Sequence, residues 1–137
     1  MISHHSLTDQ QFEIQFANCE LAPELFSHEA HIRLAWIHIN RYGIDQAITN
    51  ILSQLRTYTR HVGAADKFNV TITVAACRAV YHFMLKSTTT TFTSFIKENE
   101  RLLTQFKQLM EAHYTTNIFE STQAKEVYLE PELIPFD

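Results

Sequence analysis

Glycine and proline are scarce in this chain, with two and three occurrences in 137 residues. A sandwich or barrel of short strands needs such residues at its many turns, so an all-β fold is excluded. Cysteine is equally scarce: Cys19 and Cys77 are the only two and form no C-x-x-C pair. A disulfide framework and a cysteine zinc site are therefore not expected, and both residues read as small buried hydrophobes in a reducing compartment. Basic residues form no run, and the formal net charge is −4. A phosphate backbone finds no matching surface, so nucleic acid is not an expected partner. No apolar run reaches the length of a bilayer span, and no membrane association is expected. The first residues, Met1 to Ser6, carry neither a basic nor an apolar stretch of leader type, and the expected location is the cytoplasm. No P-loop, G-x-S-x-G or H-E-x-x-H pattern occurs.

Ten phenylalanines stand within a hydrophobic share of 45%, and only 19% of residues are charged. That balance supports a buried core and argues against disorder. The length suits one domain covering residues 1–137, with no linker and no repeat. The apolar pattern is helical. Thr8 and Asp9 can cap a helix over Leu7 to Ala17 bearing Phe12 and Phe16. Ser27 caps a second from His28 to Tyr42, stopped by Gly43. Asp45 opens a third, whose Ile44, Ile48, Ile51, Leu55, Tyr58 and Val62 repeat at helical spacing up to Gly63.

The stretch Val70-Thr71-Ile72-Thr73-Val74 alone would read as a strand. It runs on into Ala75-Ala76-Cys77-Arg78-Ala79, so a fourth helix from Asn69 or Val70 to near Ser87 is expected. Further helices are expected over Phe92 to Asn99, Glu100 to His113 and Ser121 to Lys125. The proline-bearing tail Glu130 to Phe136 should be extended and pack back on the domain. The expected fold is an all-α single-domain bundle of about four core helices, starting near His28, Asp45, Asn69 and Glu100.

Four segments carry a resemblance: Phe26-Ser27-His28-Glu29-Ala30-His31-Ile32, Arg56-Thr57-Tyr58 with Val62-Gly63, Lys67-Phe68-Asn69-Val70-Thr71-Ile72-Thr73, and Tyr128-Leu129-Glu130-Pro131-Glu132-Leu133. In order and spacing they resemble a family of small bacterial proteins of unknown function with T-H-x-A-H-L, Y-H-E-T-I-T and V-E-P-D-L segments. The resemblance implies a helical fold in which the histidine segments face each other; it implies no reaction. Asn69-Val70 departs from it, standing where the family carries His-Glu. If those groups do chemistry, this chain is a degenerate member.

The candidate site is a small-molecule pocket lined by His28, His31, Asn69 and Thr73. His28 and His31 are three residues apart and share a helix face. Two imidazoles and an amide fall short of a zinc set, so the protein is expected to carry no stoichiometric zinc, no other metal and no cofactor. Glu29 points to another side of the helix, and His38 is more than two turns from His28. The competing structural reading makes the imidazoles hydrogen-bonding supports of the helix start. A second functional reading, from a different class, is an interaction protein working through an exposed helix face as a homodimer. Trp36 and Cys77 read as core, His61 and His113 as helix C-terminal residues, and the threonines from Thr88 to Thr91 as a turn. Whether the chain is an enzyme is left open by these residues.

Overall fold

The computed structural model of the protein describes residues 3–136; Met1 and Ile2 at the start and Asp137 at the end lie outside the described residues. The fold is all-α, with no strand among the described residues. No helix there is long and apolar enough to cross a membrane. Two compact units are distinguished, Met1–Phe68 and Asn69–Asp137. Their junction falls at the cap of a helix, where the sequence carries no linker signal.

The first unit holds α1 (Asp9–Ala17), α2 (His28–Tyr42) and α3 (Ile44–His61), with 3-10 turns at His4–Ser6, Pro23–Leu25 and Ala65–Lys67. Each start has a chemical cause. Thr8 and Gln11 form a reciprocal capping box at α1, and the Ser27 hydroxyl accepts from Ala30 N at α2. Gly43 alone joins α2 to α3, with φ 82° and ψ 166°, a conformation reserved almost wholly for glycine. The two helices pack on each other as an antiparallel hairpin, and His38 and Asn50, nearly equidistant from Gly43, meet across it. α1 packs on both, bringing buried Phe12 and Phe16 to the core. Phe16 lies 4.8 Å from the Tyr58 ring and 4.9 Å from Phe26, and Tyr58 Oη donates to Leu21 O at 2.9 Å.

Arg33 is a charged residue inside this core, 6% exposed. Its guanidinium donates to His4 O at 2.6 Å, to Leu7 O at 2.8 Å and to Asp9 Oδ1 at 2.9 and 3.2 Å, and it lies over the Phe12 ring. Cys19 departs from expectation. It is half-buried and has φ 58°, as the reversal after α1 requires a left-handed residue there. Cys77 is buried as expected, and burial pushes its thiol up to about 12, which makes it inert.

The second unit holds α4 (Val70–Leu85), α5 (Phe92–Glu98), α6 (Arg101–Thr104), α7 (Phe106–Glu111) and α8 (Thr122–Glu126). The β-branched start of α4 is helical, because Asn69 caps it and its Thr71, Thr73 and Val74 side chains are buried. α5 and α8 are capped by Thr91 and Ser121. The single helix expected over Glu100 to His113 is two: Gln105, at φ −132° and ψ 28°, interrupts it. α4 packs on α8, and Thr71 Oγ1 stitches the chain after α8 by donating to Val127 O and accepting from Leu129 N. The tail returns to its own unit: Leu133 N donates to His113 O, and the Phe136 ring stacks on His113 at 4.0 Å.

Arg33→Ala should lower stability by about 3 kcal/mol in urea unfolding, because two carbonyls and a carboxylate lose their donor. Arg33→Lys should recover less than half of this, since an ammonium cannot fork to several acceptors. A loss below about 1 kcal/mol in the alanine variant would show that the guanidinium does not organise the N-terminal segment.

Candidate functional site

The four residues expected to line a pocket fall into two pairs, one in each unit. His28 and His31 occupy the first turns of α2, and both keep exposed surface. His31 stacks on Phe26 with ring centres 3.8 Å apart, which keeps water off one ring face. Loss of solvation, helped by the nearby His28, lowers its pKa. Asn69 and Thr73 meet at the start of α4, and their polar atoms are engaged. Asn69 Oδ1 accepts from Ile72 N at 2.9 Å, its Nδ2 donates to Ile118 O at 3.0 Å, and Thr73 Oγ1 donates to Asn69 O at 2.7 Å.

His38 is fully buried. The Asn50 amide approaches its Nδ1 at 3.4 Å, while its Nε2 has no hydrogen-bond partner. Burial lowers its pKa, so the ring is held neutral.

A second constellation lies within the second unit, and sequence reasoning missed it. A hollow of about 330 Å³ opens between α4, α6, α7 and the tail. Its polar lining is His82, Lys86, Arg101 and His113; its apolar walls are Phe83, Leu109 and Phe136. Among the described residues no carboxylate lines it, in a chain of net charge −4. Among the described residues neither Lys86 nor Arg101 has a carboxylate partner.

The four groups arrive there for separate reasons. His82 lies in the last turn of α4 and Lys86 caps its C-terminus one turn on, with Lys86 Nζ 3.1 Å from His82 Nε2. An ammonium can only donate, so that histidine nitrogen accepts. Arg101 is the first residue of α6. His113 was expected to end a helix; it lies beyond α7, and its ring is fixed by the tail. Its Nδ1 donates to Ile134 O at 2.5 Å while Phe136 covers its face. A larger hollow of about 530 Å³ nearby carries Lys107 and Glu111 together with uncharged polar and apolar groups. Charges of both signs there select no particular ligand, so the smaller hollow has the more specific chemistry.

No model of a protein family matches the chain, and neither a curated protein nor a solved structure does.

The His82 and Lys86 pair at helical spacing was the one sequence signal of this hollow. Arg101, His113 and Phe136 are brought to it only by tertiary structure.

Two outcomes follow from these geometries. Asn69→Ala should cost about 1–2 kcal/mol in thermal or chemical unfolding, and Asn69→Ser, which keeps the cap, should recover roughly half. An alanine variant as stable as the parent would contradict the cap and the Ile118 bond together. The second outcome concerns pH. His31 and His38 have pKa values lowered in the folded chain, whereas the unfolded chain takes up protons at the ordinary value of 6.5. Below that value the unfolded state binds more protons, so stability should fall as the solution is acidified from neutrality towards about pH 5. His38→Phe should flatten part of that slope. Stability independent of pH across the window would mean that neither ring is held neutral.

Proposed function

We propose that this chain is a small-molecule-binding protein whose ligand is an amphipathic organic anion, a carboxylate on an apolar body, held in the hollow of the second unit. The observation that carries this reading is the one-signed lining: two fixed cations and two imidazoles, with no acid among the described residues, beside aromatic and aliphatic walls. A volume of about 330 Å³ is at the small end of ordinary ligand pockets. Arg101 is suited to grip a carboxylate through two parallel N–H bonds, with Lys86 as a second point charge. Phe83, Leu109 and Phe136 would shield the apolar body.

Binding is favoured over catalysis because, among the described residues, the lining holds no serine, cysteine or carboxylate, and Lys86 Nζ and His113 Nδ1 are already engaged by His82 and the Ile134 carbonyl. The pocket expected at His28, His31, Asn69 and Thr73 has less support, because the amide and hydroxyl already serve α4. The homodimer reading has less support as well. Exposed large apolar side chains such as Ile14, Leu85 and Val127 come from different elements and define no one helix face.

The test is calorimetric titration with octanoate and, in parallel, with octanol, which has the same apolar body without the charge. Octanoate should bind and octanol should not. Arg101→Gln and Lys86→Gln should each weaken octanoate about tenfold, the value of one charge-assisted hydrogen bond. Equal binding of acid and alcohol, or full affinity in both variants, would remove the anion site.

A further inference from the structure

The N-terminal turn brings a second, independent set of donor atoms together in the first unit. His4 and His5 are adjacent in sequence, yet the 3-10 turn leaves their rings side by side, with centres 4.1 Å apart. Each turns its Nε2 to one carboxylate oxygen in the first turn of α2. His4 Nε2 lies 2.7 Å from Glu29 Oε1, and His5 Nε2 lies 2.5 Å from the same atom. All three donor atoms are within 4.8 Å of one another.

The turn is braced on two sides. Ser3 Oγ accepts from His5 N, Ser6 Oγ donates to Ser3 O, and Arg33 holds the His4 carbonyl. The set is therefore built by backbone fixation and not by chance approach of long side chains. It is graded in exposure, with His4 buried, Glu29 half-buried and His5 at the surface, so one side is open to solvent.

We propose that His4, His5 and Glu29 form a binding site for a divalent transition-metal ion, with Zn²⁺ the matching ion. Two imidazole nitrogens and one carboxylate oxygen make the three-ligand set of open zinc sites, in which water fills the fourth place. Bonds of about 2.0–2.1 Å in a tetrahedron need donor atoms roughly 3.3 Å apart. The present 2.5 and 2.7 Å separations have to widen by under ~1 Å, which the surface imidazole and the glutamate reach by small side-chain rotations.

Arg33 is the opposing element. Its Nη1 lies 3.2 Å from His4 Nδ1, and a guanidinium can only donate. In the metal-free chain His4 therefore carries its proton on Nε2 and gives it to Glu29. On metal binding that proton moves to Nδ1 and displaces this one contact. The guanidinium keeps its bonds to His4 O, Leu7 O and Asp9, and the Asp9 carboxylate offsets its charge. The result is a site of moderate affinity. The expectation of no zinc rested on His28, His31 and Asn69, none of which is a ligand here.

Zn²⁺ titration of the full chain against a chromogenic chelator tests this, with Co²⁺ absorption as a report of tetrahedral geometry. One equivalent should bind, and Co²⁺ should show the intense visible bands of a four-coordinate ion. His5→Ala and Glu29→Gln should each weaken Zn²⁺ at least tenfold, while the double variant His28→Ala with His31→Ala should bind as the parent does. Should Glu29→Gln fail to fold, His5→Ala decides alone, because its ring lies at the surface. No stoichiometric binding, or binding unchanged in His5→Ala, would overturn the site. So would binding lost only in the His28 and His31 variant.

Discussion

A buried guanidinium must find acceptors, and in the first unit that requirement sets the course of the chain. Arg33 projects from α2 within a run, residues 32–37, that is otherwise apolar, and has almost no contact with water. Left alone its charge would be costly, so backbone and carboxylate oxygens gather around it. Two of them are carbonyls of the N-terminal segment, and the third acceptor, Asp9, is the first residue of α1. With the Thr8 and Gln11 capping box setting where α1 begins, the charge anchors that start beside α2, and with it the entry of Phe12 into the core and the resting place of His4 and His5. The N-terminal turn is shaped by one side chain about thirty positions away. Without that tether a short polar segment has too little apolar surface to hold a single conformation.

The second unit solves a similar problem with neutral groups. Its later helices are short, and none alone would be stable in water. Side-chain hydrogen bonds to backbone join them to the start of α4. Asn69 reaches Ile118, Thr71 reaches Val127 and Leu129, and Tyr114 Oη reaches Leu129 O. The tail then closes over His113. This arrangement leaves basic side chains lining a hollow that has no acid among its described residues. A cluster of like charge destabilises the chain that holds it unless a counter-charge arrives.

Much of the helical frame was readable because its boundaries are local. Ser27 and Gly43 bracket α2, Asn69 caps α4, and Thr91 and Ser121 open α5 and α8. Each is a side chain or backbone acting within a few residues of itself. Gln105 was not readable, because the apolar spacing of Leu102, Phe106 and Leu109 runs straight through it. The same division holds for the sites. His28 and His31 could be placed on one helix face from spacing. The convergence of His82, Lys86, Arg101 and His113 could not, because it depends on a helix break and a returning tail. Nor could the approach of His5 to Glu29, separated by 24 positions and brought about by Arg33.

The single-residue link at Gly43 bears on the order in which the chain acquires structure. Joining two helices through one residue leaves almost no loop to close, so the entropy lost in bringing α2 against α3 is near its minimum. Contacts of such short sequence separation are the fastest to form. During synthesis both helices are complete once residue 61 has been added, before any part of the second unit exists. The hairpin can therefore serve as the surface on which α1 and the N-terminal turn condense, with Gly43 setting the kinetics of a core to which it contributes no side chain.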